Sequence, residues 1–490
     1  MKIKNIVVVG GGATGWTVAS FLAKQLPREL VKIQVVEEKR KDNECVEFAR
    51  SAIHRFHDLI GLHEKQCVLN DATCFGLGVW CQGLHKDFIL VEGAYGAPLD
   101  GIDFQSVYYK SALLGSPHQL DDYSLSAVAA RLGRFGHPVA DSNSIYSSIQ
   151  YGINFELDVY ADVLRAHALA LGVEAIQSDC KSVNVCLRNN IIDSIELANG
   201  QVLAADLFID CSGEQSILMG EAMKVFSVED NLDKIFDSMA AGYRPLVAGS
   251  KPVTQLINTD TGYLRIIPLK HQEYICHVYS SKLSPDDHIK QKMLDLNVSE
   301  VVFSTLNFKK KEVFWVKNCV AMGHAGACVP ELFVSPLSLV RNAVVRLLDL
   351  LTGFDDFTAS AFEYNRLTHV EFKQLRELTE LYFYLSKDSS SALREYFKQH
   401  ELSVPAQHRL DLFTCSGRHP YQQGNIFSDF EWAAFFVGNQ LLPLTCNLDV
   451  DVYDKEKILE YTERLSVAIY KAAERMPMHA DYVARLVLTQ

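Results

Sequence analysis

The sequence predicts an α/β protein whose first domain is a Rossmann-like, doubly wound sheet, and three observations carry that prediction. A short β-branched strand at residues 3–9 runs into Gly10-Gly11-Gly12-Ala13-Thr14-Gly15 and then into a helical stretch at 16–26. A second apolar run at 31–36 ends at Glu37, 22 residues beyond Gly15. Much later, buried runs at 205–210 and 318–322 each end in a small-residue turn, at Gly213 and at Gly323-His324-Ala325-Gly326.

The opening unit makes a specific physical demand. Gly10, Gly12 and Gly15 stand at G-x-G-x-x-G spacing, where the turn is too tight for a side chain and the backbone must let a diphosphate approach the helix start. Ala13 and Thr14 lie in that turn, Trp16 opens the helix, and a carboxylate at the end of the next strand, Glu37, is placed to accept from ribose hydroxyls. A bare glycine pattern is weak evidence, but strand, turn, helix, strand and acid in this order predict nucleotide binding.

Farther along, Leu157, Tyr160, Ala161, Leu164, Ala168 and Leu171 recur at helical spacing, so 157–172 reads as an amphipathic helix. Runs at 183–185, 191–197 and 202–203, separated by Asn189-Asn190 and Asn199-Gly200, read as a small β-meander. The strand after it returns to the first sheet, which makes the nucleotide domain discontinuous in sequence. Strands at 263–268 and 273–280 belong to a second, substrate-facing sheet, and Val340, Ala343, Val344, Leu347, Leu348 and Leu351 share one helix face. From about 359 onward the pattern is mainly helical, with neither repeat nor low-complexity linker.

Composition narrows the function classes. With 490 residues, two or three domains and a large core are expected. Apolar residues make 48% and charged residues 22%, which excludes a disordered or fibrous chain. A net charge of −13, from 47 basic and 60 acidic residues, argues against nucleic-acid or anionic-membrane partners. The twelve cysteines include no C-x-x-C pair and no zinc-ligand spacing, so no metal is expected and a reduced, cytoplasmic protein fits. The basic start followed by an apolar run imitates a secretory signal until three glycines interrupt it, and no stretch is long enough to span a membrane.

At this point the chain resembles a known family, the flavin-dependent tryptophan halogenases. Gly10-Gly11-Gly12-Ala13-Thr14-Gly15-Trp16 is similar to that family's opening motif, and His54-Arg55-Phe56-His57-Asp58-Leu59-Ile60-Gly61 to its following helix. Ala72-Thr73-Cys74-Phe75-Gly76-Leu77-Gly78-Val79, Leu99-Asp100-Gly101-Ile102-Asp103-Phe104, residues 206–213, residues 318–326, Tyr364-Asn365-Arg366 and Phe427-Ser428-Asp429-Phe430-Glu431-Trp432 also have family counterparts. The resemblance implies an FAD-binding fold of the para-hydroxybenzoate-hydroxylase type. Residues 1–350 form the discontinuous FAD-binding domain, interleaved with a substrate-side sheet at about 70–130 and 214–310, and residues 351–490 form a mainly helical C-terminal module. FAD is then the cofactor, held by Gly10, Gly12, Ala13, Thr14, Gly15, Trp16, Glu37, Glu47, Gly213, Gly323, Ala325 and Gly326. A small aromatic, indole-like substrate and a separate flavin reductase are the implied partners, and a homodimer is compatible with the family.

In that family reduced flavin, oxygen and halide generate an oxidised halogen, which a lysine directs and a nearby glutamate helps deliver to the aromatic substrate. Here Gly76 stands where the lysine should be. The W-x-W-x-I-P segment corresponds to Tyr263-Leu264-Arg265-Ile266-Ile267-Pro268, which keeps Ile267-Pro268 without either tryptophan, and Phe333 falls at the glutamate position. Glu331 is the candidate acid after a one-residue shift, although a carboxylate beside Pro330 is more often a solvated turn residue. Lys65 and Lys86 are the nearest amines in sequence and read as ordinary surface lysines; His54 and His57 read as packing and polar capping. The expectation is an FAD-dependent halogenase-like oxidoreductase with halogenation in doubt. The alternatives are flavin monooxygenase-like hydroxylation and a degenerate flavin-binding protein.

Overall fold

The computed structural model describes residues 3–38, 45–68, 72–229, 235–351, 356–386, 392–399, 401–421, 424 and 426–488. The first strand, β1 (Asn5–Val9), buries Ile6, Val7, Val8 and Val9 completely, as a parallel strand covered on both faces must. It pairs in parallel with β2 (Lys32–Glu37) on one side and with Leu207–Asp210 on the other. Cys319–Ala321 continues the sheet in parallel beyond Leu207–Asp210, and Glu174–Gln177 continues it beyond β2. An antiparallel edge, Trp315–Val316, completes six strands. The sequence expectation that the strand after the meander returns to the first sheet is met, and the buried run at 318–322 joins the same sheet.

Helix α1 (Ala13–Gln25) buries Trp16, Val18, Ala19, Phe21 and Leu22. It is tied to the helix Leu157–Ala170 by the Ser20 hydroxyl, which donates to the Leu164 carbonyl at 3.1 Å. Cys180–Cys186, Ile191–Leu197 and Val202–Ala204 form the expected antiparallel meander. Its Ile192, Ile195 and Leu197 pack into one core with Val7, Val9, Val36 and Phe208 of the parallel sheet.

A seven-stranded sheet runs in the order Val302–Thr305, Ser238–Pro245, Gln272–Tyr279, Gly262–Pro268, Thr254–Asn258, Val79–Gln82 and Phe88–Leu90. The stretch at about 70–130 gives this sheet only its last two strands. Thr73–Gly76 belongs to a separate three-stranded sheet, and Asp103 and Ser124 accept backbone N–H groups at the starts of the helices Phe104–Leu113 and Leu125–Arg131. Among the described residues the strands of the 214–310 stretch that belong to it begin at Ser238; 217–222 is a π-helix and Ser227–Val228 joins a separate small sheet.

The chain divides into two compact units. One comprises Met1–Thr73, Phe155–Asp237 and Thr305–Lys373, and the other Cys74–Asn154, Ser238–Ser304 and Gln374–Gln490. The division falls inside the 27-residue helix Thr358–Tyr384. In the second unit the Arg409 guanidinium, nearly sealed from solvent, donates to Glu377 at 3.0 Å and lies 4.3 Å from the centre of the Trp432 ring. Removing one partner of a buried pair strands the other charge. Arg409→Met should therefore lower the urea-unfolding free energy by about 3–5 kcal/mol, and the double change Arg409→Met/Glu377→Leu should recover most of that loss.

Candidate functional site

The site is built where the parallel strands end. Gly10 has φ +123, and a Cβ there would fall 2.1 Å from the Cys211 carbonyl oxygen. A Cβ on Gly15 would fall 1.8 Å from the Gly10 carbonyl oxygen. A Cβ on Gly11 would meet that of Glu37 at 2.2 Å. Only glycine lets these backbones pass. Gly12 differs, because nothing lies within 4 Å of its missing Cβ, so the fold itself leaves that space open. Gly12 is also the N-cap of α1; it offers no side-chain cap, and the first turn holds no acid. The free N–H groups and the positive end of the helix dipole are thus presented to an open space.

Backbone hydrogen bonds lock the strand ends around this loop. The Gly10 N–H donates to Val36 O at 2.9 Å, Cys211 N–H to Val9 O at 2.8 Å and Met322 N–H to Asp210 O at 2.9 Å. The Asp210 carboxylate, fully buried, accepts from the Ser212 N–H and hydroxyl and from the N–H groups of Leu218 and Met219. Burial raises its pKa above the ordinary carboxyl range, while the Ser212 hydroxyl and the three N–H groups pull the other way. Gly213 sits at φ +69 in the turn that follows. Gly323, at φ +60, backs onto Thr14, whose side chain would lie 2.8 Å from a Cβ there. The Ala325 carbonyl accepts the Ser216 hydroxyl at 3.0 Å, and the Gly326 N–H closes the turn on Gly323 O at 2.9 Å. The structure thus brings Gly10, Gly12, Ala13, Thr14, Gly15, Glu37, Gly213, Gly323, Ala325 and Gly326 to one end of the sheet.

Glu37 is held by a residue the sequence reading did not single out. Arg165 donates to it bidentately, Nη2 to Oε1 at 2.7 Å and Nε to Oε2 at 3.0 Å. The same guanidinium lies 5.6 Å from the centre of the buried Trp16 ring. Nε also reaches Oε1 at 3.2 Å, so acceptor capacity remains chiefly at Oε2 and the clamp orients Glu37 without exhausting it. Glu47 is buried, accepts the Ser335 hydroxyl and lies 3.7 Å from Arg341 Nη2. Ser335 in turn caps the helix Pro336–Leu350, so Glu47 fixes where that helix begins.

Other candidates take different places. Gly76 ends the buried strand Thr73–Gly76, where a Cβ would lie 3.2 Å from the Asn154 amide oxygen. Its neighbour Phe75 stacks on Phe135 at 4.6 Å. Tyr263 and Ile267 are buried in the strand Gly262–Pro268. Glu331 is half-buried before the helix Pro336–Leu350, and Phe333 is buried. Lys65 lies on the short helix Glu64–Val68, and Lys86 borders a cavity of ≈ 170 Å³ with Tyr108 and His118. His57 is packed inside, 2.9 Å from the Tyr160 hydroxyl, and burial lowers its imidazole from 6.5 to about 3.

The family profile described as tryptophan halogenase matches residues 5–454. The chain is 23% identical over 447 residues to tryptophan 7-halogenase RebH of Lentzea aerocolonigenes, covering 84% of this chain and 82% of that one. It is 26% identical over 424 residues to tryptophan 7-halogenase KtzQ of Kutzneria sp. (strain 744), covering 80% and 78%. Its structure is similar to BrvH, a flavin-dependent halogenase from Brevundimonas sp. BAL3, with a TM-score of 0.92, 25% identity and 99% of each chain covered. The α/β architecture is therefore the FAD-binding fold of the para-hydroxybenzoate-hydroxylase type, as the sequence resemblance implied.

Two outcomes follow from this geometry. Gly15→Ala collides with backbone and should lower thermal stability by several degrees, whereas Gly12→Ala should leave it unchanged within error; differential scanning fluorimetry separates the two. His57 binds its proton more weakly folded than unfolded, so the stability it contributes is complete above 6.5 and is lost as the pH falls toward about 3. Acidification from pH 7 to 5 should remove about 2 kcal/mol through this one imidazole. In urea titrations at both pH values, His57→Gln should abolish that share of the slope.

Proposed function

Because this chain belongs to the tryptophan halogenase family, we propose that it is an FAD-dependent oxidoreductase that uses reduced flavin and molecular oxygen to modify an aromatic, indole-like substrate. The observation that carries the reading is the open space over Gly12 at an uncapped helix start, ringed by strand ends that only glycine permits. The N–H groups at the start of α1 would hold the cofactor's diphosphate. Glu37, oriented by Arg165, would accept from the adenosine ribose. The backbone of Gly323–Ala325 would line the path toward the ring end, and Glu47 would act indirectly by fixing the start of the helix Pro336–Leu350.

When bound, FAD supplies the electrons that activate oxygen. A separate flavin reductase would deliver it in reduced form, as the family's chemistry implies. The substrate class rests on relatives whose names specify tryptophan. Gly76 provides no amine to direct an oxidised halogen, Tyr263 takes a tryptophan position, and Phe333 replaces a carboxylate; on these grounds direct oxygenation is the favoured outcome over halogen transfer. Glu331 is kept as the candidate acid.

Fluorescence titration should show FAD bound by the wild type and its affinity reduced at least about tenfold in Gly12→Ala, a methyl group standing where the diphosphate approaches. Incubation with reduced FAD, oxygen, bromide and an indole panel should give oxygen uptake that depends on the aromatic compound, and oxygenated product by mass spectrometry. A halogenated indole formed without added amine would overturn the reading of Gly76.

A further inference from the structure

We propose that the cavity beside the strand Lys309–Lys311 is a binding site for a phosphate-class oxyanion, separate from the cradle at the start of α1. The cavity measures ≈ 280 Å³ and is bordered by Lys309, Lys311, His324, Ser216, Ser227 and Glu214. At about 30 Å³ per water molecule it is far too roomy for one halide ion and suits a phosphate carrying an ester group. Three of its polar groups are cationic or become so on protonation, and two are hydroxyls. Such a set on a chain of net charge −13 is a local feature, not a general attraction to anions.

Lys311 is the centre of the argument. It is 8% exposed, yet among the described residues its ammonium makes one hydrogen bond, to the neutral Val225 carbonyl at 3.2 Å. An ammonium has three donors, and a buried charge is stable only when it is paired. Asp210 lies near enough to act on it electrostatically, but that carboxylate already accepts four donors. Gly220 makes room for the amine: a Cβ there would fall 2.8 Å from Nζ. The amine thus packs against Gly220 beside an open cavity.

The loop Gly323–Gly326 adjoins both this cavity, which His324, Ala325 and Gly326 border, and the start of α1. On one flank Gly323 backs onto Thr14, and on the other the Ala325 carbonyl binds Ser216, which borders the cavity. Of the residues assigned to the cofactor, Ala325 and Gly326 border it, while the Gly10–Trp16 segment and Glu37 do not. An anion there would be linked to the flavin through this shared loop without competing for the same donors.

Calorimetric titration of the FAD-free full chain with inorganic phosphate, at constant ionic strength set with chloride, tests the proposal. One phosphate per chain is expected, with affinity lowered about tenfold or more in Lys311→Met and a few-fold in Lys309→Gln. Glycerol phosphate in a parallel titration distinguishes an ester from free phosphate as the preferred source. The same stoichiometry should persist in FAD-saturated protein. Should Lys311→Met fail to fold, phosphate should still protect Lys311 of the wild type from acetic anhydride, read by peptide mass spectrometry. No binding above the chloride control, equal affinity in both variants, or complete displacement by FAD would overturn the site. Because the first titration needs no flavin, its result stands whether or not the chain binds FAD.

Discussion

Close backbone passage at the ends of four parallel strands is the constraint on which the site depends. The missing Cβ of Gly15 faces the Gly10 carbonyl oxygen, and that of Gly10 faces the Cys211 carbonyl oxygen, at separations no real side chain tolerates. Once those three backbones interlock, Gly12 is left facing open space and α1 starts without a cap. The anion-binding character of the helix start thus follows from packing beneath it and not from any charged side chain.

Buried polar groups make this arrangement single-valued. Asp210 gathers four donors from the turn after its own strand, which fixes the Cys211–Gly213 backbone against β1. Arg165 holds Glu37, and Glu47 holds Ser335 and with it the start of the helix Pro336–Leu350. The carboxylates of Asp210, Glu37 and Glu47 are each satisfied by hydrogen bonds, so they add rigidity to the turns they hold. A pre-set loop loses less freedom when a ligand arrives.

Much of this was legible in the sequence because it is local. The glycine spacing, the carboxylate ending β2, the meander turns at Asn190 and Gly200 and the buried runs at 205–210 and 318–322 are signals within a few residues, and each corresponds to an observed element. Arg165 was missed because its partner lies 128 residues away; its only signal was a charged position on the outer face of a predicted helix. Asp210 was read as part of an apolar run, since nothing in a sequence announces that four donors will converge on one carboxylate. The stretch at 70–130 was expected to be sheet, yet Asp103 and Ser124 start helices there. Lys311 stands in a three-lysine run that reads as a solvated edge, yet it is buried and its amine packs against Gly220, 91 residues earlier.

The most direct measurement is an experimental density map of the chain crystallised with FAD. The account predicts diphosphate density within hydrogen-bond distance of the N–H groups that follow Gly12, with the adenosine ribose against Glu37 while Arg165 keeps its bidentate grip. Density for the diphosphate anywhere other than the start of α1, or a Glu37 turned away from the ribose, would contradict it.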